Sequence, residues 1–335
     1  MINTKKNLIL VTFAVSFLLY TYIDLFHSRM WDPLLAGSFG VLEGTPHWRA
    51  QQNRVLGPLV LKLISSFGFS QLISFKIYIF FFTFINNLLF IFVLNKVSNT
   101  KQIYLKSIFV FNLLILISQD RWMFAWDFLE ITFFIFYCYL LLDIKKIRYL
   151  PIINFFHIFN RESFMIMALY FLFLNFYINR KYKLEIIDTK NKLLIYFNLV
   201  FGVLFIYFSR LILFKHQSEF LGSGLDKTNK FLGGTWITPI YNLKTFIEGD
   251  LIINLVILST IFITTIYLFV KFKQGNLLEK TLTLATIINI VPIFFFGIFT
   301  ETRQYQPSLV ILSFLIFLEI YGNKFNFLNN LEENF

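Results

Sequence analysis

The chain is short of charged residues, which limits the kinds of protein it can form. Only 15% of its 335 residues are Asp, Glu, Lys or Arg, whereas soluble domains contain about 25%. Hydrophobic residues make up 57%, and the polar residues occur in short pieces between apolar runs. No stretch has the composition of a separate soluble core. We therefore predict a single integral membrane domain over residues 1–335.

Cysteine and histidine are also rare. Cys138 is the single cysteine, and it lies inside an apolar run. This excludes a disulfide within the chain and disfavours a redox role. The four histidines are not spaced as in metal sites. The sequence predicts no cofactor and no metal site, although a divalent ion stays compatible with it.

The net charge of +11 does not indicate a nucleic-acid partner. The Lys and Arg residues fall in short loops between apolar runs, and this pattern is typical of signals that orient membrane helices. We therefore predict membrane lipids, and not nucleic acid, as the surroundings of the chain.

Long apolar runs recur along the sequence. A helix needs about 20 apolar residues to cross a bilayer, and the backbone must form its hydrogen bonds internally there, which favours helices. Two further runs, 55–69 and 149–159, are short and contain proline. The nine longer runs are 7–25, 72–94, 103–118, 122–142, 163–179, 193–213, 251–270, 279–299 and 306–321.

The distribution of Lys and Arg favours one topology. If 55–69 stays at the outer surface as an amphipathic or re-entrant helix and 149–159 crosses most of the bilayer, the cytoplasmic segments hold 17 of the 30 basic residues. This predicts an all-α protein with about ten transmembrane helices. Both termini are then cytoplasmic, in a bacterial inner membrane. The outer face receives a first loop, 26–71, and a second loop, 214–250, which is a candidate lid.

Carboxylates and an arginine mark the first outer loop. Asp24 lies at the outer end of the first span, where its carboxylate can reach a cavity in the protein. Asp32 precedes Pro33, so it is either an N-cap or a functional carboxylate. Arg54 follows in a polar stretch that leads into 55–69.

A second group surrounds the start of the run at 122–142. Asp120, Asp127 and Glu130 are spaced by seven and three residues, which places them on one helical face. Such a stripe favours the lining of a wet cavity over a simple interfacial cap. Arg121 lies beside it, and Trp126 is predicted as an interface anchor and not as a stacking platform.

Two polar turns complete the pattern. Asn160, Arg161 and Glu162 separate two apolar runs; the two charges either neutralise each other, with Ser163 capping the next helix, or form a cavity wall within reach of Asp127. Glu301 and Arg303 precede the last run in a dense polar stretch, and Arg210 adds another cation near the outer face.

These residues resemble the GT-C superfamily of polytopic glycosyltransferases, including its uncharacterised bacterial members. The resemblance covers spacing and topology over most of the chain, and it includes Asp24 or Asp32 followed by a partly helical outer loop. The other matching stretches are Asn53-Arg54-Val-Leu-Gly-Pro58, Trp126-Asp127-Phe-Leu-Glu130, Asn160-Arg161-Glu162 and Glu301-Thr-Arg303. The loop lacks the paired carboxylates of better-known members. The resemblance implies a polyprenyl-phosphate-linked sugar donor, an outer-loop Asp or Glu as base, and often no metal.

The leading hypothesis is sugar transfer at the extracytoplasmic face, from a lipid-linked donor to a glycan, lipid or protein acceptor. Asp24 or Asp32 acts as the base, and phosphate is bound by Arg54, Arg121, Arg161 and Arg303. Sugar hydroxyls or these arginines are oriented by Asp120, Asp127, Glu130, Asn160, Glu162 and Glu301. The alternatives are a polymerase or ligase for lipid-linked glycans, which needs no carboxylate base, and a transporter or flippase.

Overall fold

The computed structural model describes residues 5–45, 51–95, 101–119, 122–213, 247, 251–296 and 302–321, and every regular element in these ranges is helical. The candidate lid, 214–250, lies outside the described residues except for residue 247. The α-helices are α1 (Lys5–Phe26), α2 (Trp31–Glu43), α3 (Leu56–Ser65), α4 (Gln71–Leu94), α5 (Lys101–Ile117), α6 (Ala125–Leu142), α7 (Leu150–Ile158), α8 (Ser163–Tyr182), α9 (Thr189–Tyr207), α10 (Leu251–Gln274), α11 (Leu277–Phe296) and α12 (Gln306–Tyr321).

All nine long apolar runs coincide with α-helices in the structure. The all-helical fold class is therefore confirmed for the described part of the chain. Five helical stretches there are long and apolar enough to cross a membrane: Asn7–Phe26, Gln71–Leu94, Ala125–Leu142, Ser163–Tyr182 and Thr189–Arg210. These helices indicate an integral membrane protein, while the number of ten crossings stays a prediction.

The two short runs form short helices. α3 has 10 residues and α7 has 9, which corresponds to roughly 15 and 14 Å against a hydrocarbon core of about 30 Å. α3 buries Gly57, Pro58 and Leu61 and exposes Leu59 and Leu63, as an amphipathic helix does. A 3₁₀ segment, Ile144–Tyr149, leads directly into α7, and the crossing of most of the bilayer by 149–159 stays a prediction.

α6 is the central helix of the bundle. It packs against α3, α4, α7, α11 and α12, and 89% of its apolar stretch is buried, against 22–56% for the other four span-sized stretches. A helix that is apolar around its whole circumference lies either among other helices or in lipid, and the burial of α6 shows that neighbouring helices enclose it. The few polar side chains of α6 are therefore held in a protein environment, where they need partners.

Buried polar side chains connect the helices around this centre. Asn86 of α4 accepts a hydrogen bond of 2.6 Å from Thr132 of α6. Asn87 of α4 and Asn112 of α5 exchange bonds of 3.1 and 2.8 Å, and Asn87 also donates to Ser16 of α1 at 2.9 Å. In membrane proteins such bonds contribute about 0.6–2 kcal/mol each. They fix how α1, α4, α5 and α6 are rotated relative to one another.

Several segments converge at the N-terminal end of α6. The backbone N–H of Leu56, which begins α3, donates to the carbonyl of Phe159 after α7 at 2.9 Å. The hydroxyl of Thr302, which begins a 3₁₀ turn before α12, donates to the carbonyl of Gln119 at 3.0 Å. Loops from distant parts of the sequence therefore meet at one end of the bundle.

The contact between α3 and α6 gives a first prediction. A Cβ at Gly57 would lie 2.9 Å from the carbonyl carbon of Ala125 and from the backbone nitrogen of Trp126. Alanine normally stabilises a helix relative to glycine, but here the added carbon meets backbone. We expect Gly57→Ala to destabilise the protein by about 1–3 kcal/mol, measured by thermal unfolding in detergent. Leu63→Ala, on the exposed face of α3, is the control and should change stability little; an unchanged melting temperature for Gly57→Ala contradicts this packing.

Candidate functional site

Asp127 is the central carboxylate of the converging loops. It lies in the first turn of α6, where its Oδ2 accepts a hydrogen bond of 2.9 Å from the backbone N–H of Phe124. Its side chain is fully buried and forms ion pairs with Arg161 at 3.2 Å and with Arg303 at 3.3 Å. Both guanidinium groups are themselves largely buried. One carboxylate thus connects α6 to the 160–162 turn and to the turn before α12.

Glu162 forms a second ion-pair cluster. It contacts Arg54 at 3.2 Å and also pairs with Arg210. Arg161, its neighbour in sequence, pairs with Asp127 instead. The reading of Arg161 and Glu162 as a self-neutralising pair is therefore wrong, because the turn directs the two side chains toward different parts of the bundle.

Glu130 is fully buried one turn farther along α6. Its carboxylate accepts a hydrogen bond of 2.9 Å from Asn160 Nδ2, contacts His157 Nε2 at 2.9 Å and accepts a short hydrogen bond from Ser163. Ser163 does not cap α8 as one reading of the turn predicted, because its hydroxyl bonds Glu130; Glu162 occupies the N-cap position without a side-chain bond. Glu130 thus ties the end of α7 and the start of α8 to α6.

The Glu130 network continues deeper between the helices. His157 Nδ1 lies 2.8 Å from the hydroxyl of Tyr137, and that hydroxyl donates to Asn154 Oδ1 at 2.7 Å. All of these side chains are buried. His157 and Tyr137 are not among the residues predicted from the sequence. A histidine within an apolar run, three residues before Asn160, is the signal that could have identified this network.

Arg54 is stacked on the central helix. Its guanidinium carbon lies 5.5 Å from the centroid of the Trp126 ring, in a cation–π arrangement. Trp126 is fully buried, so the prediction of an interface anchor is wrong and the ring serves as a stacking platform. Burial lowers the pKa of Arg54 to about 9, and the positive charge of Arg161 acts in the same direction. Burial and a neighbouring cation thus both disfavour the charged form of Arg54.

Arg210 reaches the same cluster from the end of α9. It lies in a six-residue π-helical segment, Phe208–Leu213, and its Nε donates to Asn53 Oδ1 at 2.8 Å. Asn53, Arg210, Glu162 and Arg54 form a connected series of contacts. From the sequence, Asn53 is only part of a stretch that resembles the GT-C superfamily. Its contact with Arg210 was not predictable, because the two residues lie 157 positions apart.

Three buried N–H donors in this region have no hydrogen-bond partner among the described residues. They are Asn53 Nδ2, Arg54 Nε and Trp126 Nε1. A buried donor left unpaired costs about 1–3 kcal/mol. These three groups need an acceptor, whereas the buried Oδ1 of Asn160 in the same region needs a donor. The chemistry that satisfies the three donors is that of an oxygen-rich anion or a hydroxyl group.

Asp24 and Asp32, the two candidate bases, lie outside the arginine cluster. Asp24 forms an ion pair of 2.9 Å with Lys76, whose Nζ lies 5.4 Å from the centroid of the Trp31 ring. Asp32 is exposed in the first turn of α2, and Met30 occupies the N-cap position. The N-cap reading of Asp32 is therefore wrong. Within the described part of the chain, neither carboxylate contacts an arginine of the cluster.

The remaining predicted residues are Asp120, Arg121 and Glu301, which lie outside the described residues. The structure thus joins Arg54, Arg161, Arg303, Asp127, Glu130, Asn160 and Glu162 from the predicted set. It also brings in Arg210, which the sequence indicated only as another cation near the outer face, and it adds Asn53 and His157. Across the described contacts, four guanidinium groups share the two carboxylates of Asp127 and Glu162. The arrangement can bind an anion and hold it in a fixed orientation.

No protein-family model, curated protein or solved structure matches this chain. The resemblance to the GT-C superfamily therefore stays a resemblance of residues and spacing.

The double pairing of Asp127 gives a second prediction. Asp127→Asn keeps an oxygen that can accept from Phe124 but leaves Arg161 and Arg303 without a counter-charge. We expect the free energy of unfolding to fall by about 3–5 kcal/mol, measured by thermal unfolding in detergent. Glu185→Gln is the matched control, because it changes the net charge equally. Glu185 is 45% exposed in its pair with Lys192, so its loss should cost under about 1 kcal/mol; equal effects of the two substitutions contradict the central role of Asp127.

Proposed function

We propose that the protein is a membrane glycosyltransferase that moves a sugar from a polyprenyl-phosphate-linked donor to a hydroxyl acceptor at the extracytoplasmic face. The observation that supports this most directly is the meeting of Arg54, Arg161, Arg210 and Arg303 at the end of α6. Guanidinium groups stay charged and bind phosphate oxygens in pairs. Buried side chains of this kind inside a membrane bundle usually serve a ligand.

The chemistry assigns a role to the positive charge. The bond between the anomeric carbon of the sugar and the phosphate oxygen breaks, and the bonding electrons leave with the phosphate. The acceptor oxygen forms the new bond to the anomeric carbon and loses its proton to a carboxylate. Negative charge grows on the leaving phosphate, and the excess positive charge of the arginine cluster stabilises it.

The carboxylates of the cluster have another role in this proposal. Asp127 and Glu130 are fully buried and bonded to protein groups, so they position the arginines and the 160–163 turn and do not take the acceptor proton. The base is then Asp24 or Asp32. Asp32 is exposed in the loop segment before α3, where an acceptor can reach it from outside.

A third prediction tests the base. Asp24→Asn or Asp32→Asn should lower kcat by about 10²–10⁴-fold with little change in KM, because the acceptor hydroxyl loses its proton acceptor. The measurement is release of polyprenyl phosphate from a polyprenyl-phosphate sugar in proteoliposomes. Glu43→Gln, an exposed carboxylate at the end of α2, is the control and should keep normal activity. Full activity in a folded Asp24→Asn, Asp32→Asn double variant contradicts the assignment of the base.

One observation also favours a polymerase or ligase for lipid-linked glycans as a second candidate. The arginines are gathered around α6, whereas Asp24 contacts Lys76 and Asp32 points to solvent. A reaction that depends on stabilising a lipid phosphate leaving group, without a carboxylate base, needs only the first of these two groups.

A fourth prediction separates the two candidates. Arg161→Gln and Arg303→Gln should each lower the rate by about 10²–10³-fold, since each removes a group that stabilises the leaving phosphate. If Asp24→Asn and Asp32→Asn then keep most of the wild-type rate in the same assay, the polymerase or ligase reaction is favoured. Comparable losses from both kinds of variant favour the glycosyltransferase. Transfer of the intact donor across the liposome membrane without product identifies a flippase and contradicts both.

A further inference from the structure

The two arginine pairs of the site hold their carboxylates in different ways. Asp127 has no exposed surface and is fixed by the backbone N–H of Phe124 as well as by Arg161 and Arg303. Glu162 has 26% of its side chain exposed and sits at the N-cap position of α8, where its side chain makes no capping bond. Asp127 is therefore built into the fold, whereas Glu162 can leave its arginines by a side-chain rotation toward solvent.

The groups around Glu162 have the properties of an anion site. Arg54 and Arg210 are only 14% and 9% exposed, and both bind the one carboxylate. Asn53 Nδ2, Arg54 Nε and Trp126 Nε1 are buried donors that this carboxylate leaves unpaired. A carboxylate offers two oxygens and one negative charge, while a phosphate monoester offers three free oxygens and up to two negative charges. A phosphate monoester therefore satisfies this set of donors better than Glu162 does.

We propose that Arg54, Arg210, Asn53 and Trp126 form a phosphate-binding site. When no phosphate is bound, the carboxylate of Glu162 occupies the position of the phosphate oxygens. The phosphate displaces Glu162, whose carboxylate turns outward. The ligand class is a phosphate monoester, and this step rests on the proposed function and deepens it, because it locates the leaving polyprenyl phosphate on one pair of arginines. Arg161 and Arg303 stay paired with Asp127 throughout, and their positive charge stabilises the phosphate from the wall of the site.

The proposal also accounts for the position of Glu162 between Arg54 and Arg210. Without Glu162, Arg54 and Arg210 would be two buried cations beside each other, and like charges at short range destabilise a folded site. The carboxylate keeps the empty site folded. It also sets a threshold, because only an anion that binds the two guanidinium groups more strongly than a carboxylate replaces it.

The test compares anion binding to the full-length protein and to Glu162→Gln. Purified protein in nanodiscs is titrated with inorganic phosphate and, in a separate arm, with polyprenyl monophosphate, using calorimetry in phosphate-free buffer. Removing the competing carboxylate should tighten binding by about tenfold or more, since a charge neighbour at this range changes binding by at least one decade. Glu185→Gln carries the same change in net charge at an exposed site and should stay within about twofold of wild type.

A second variant keeps the test decisive if Glu162→Gln folds poorly. Trp126→Phe retains an aromatic ring beneath Arg54 and removes the Nε1 donor together with the second ring of the indole, so phosphate affinity should fall about three- to tenfold. An unchanged or weaker phosphate affinity in folded Glu162→Gln, or an unchanged affinity in Trp126→Phe, contradicts the proposed phosphate-binding site. If only polyprenyl monophosphate binds, the site is specific for a lipid headgroup. If inorganic phosphate binds equally well, the site is one for the free anion.

Binding and transfer are measured separately, so the two proposals fail in different ways. Tighter phosphate binding in Glu162→Gln with no sugar transfer by wild-type protein supports the phosphate-binding site and contradicts the glycosyltransferase. Sugar transfer with no change of phosphate affinity in Glu162→Gln contradicts the phosphate-binding site alone.

Discussion

The ion pairs of Asp127 are the interaction on which the end of the bundle depends. A carboxylate without any exposed surface is tolerated only when its charge and its lone pairs are satisfied. Here the backbone of Phe124 and the guanidinium groups of Arg161 and Arg303 satisfy it. Three segments that are distant in sequence are thereby fixed around the start of α6. The positions of the other charged groups follow from this arrangement.

The fold and the proposed chemistry share the same helix. α6 is enclosed by apolar neighbours along most of its length, and its two carboxylates lie within its first two turns. Asp127 orders the arginines, and Glu130 orders the turn that carries Arg161 and Glu162. A rigid apolar scaffold with a polar end suits a reaction that needs a membrane-embedded phosphate group held in a fixed orientation.

Composition predicts most of the helices, because long apolar runs can satisfy their backbone within a membrane only as helices. The spacing of Asp127 and Glu130 correctly placed both on one side of α6. Partner choice was not predictable in the same way. Arg161 and Glu162 are adjacent in sequence, which is compatible with a self-neutralising pair as well as with a cavity wall; the direction in which each side chain leaves the turn depends on tertiary packing. The partners of Arg210 and His157 likewise depend on tertiary packing, which the sequence does not show.

The distance in sequence between Asp127 and Arg303, 176 positions, has a consequence for how the chain is made. Synthesis proceeds from the N-terminus, so Asp127 reaches the membrane long before its second arginine is translated. Until α12 follows, the nascent chain holds this carboxylate with at most half of its final counter-charge. The last helix therefore completes the ion-pair cluster, and a chain interrupted before residue 303 leaves the charge of Asp127 only partly compensated inside an otherwise apolar bundle.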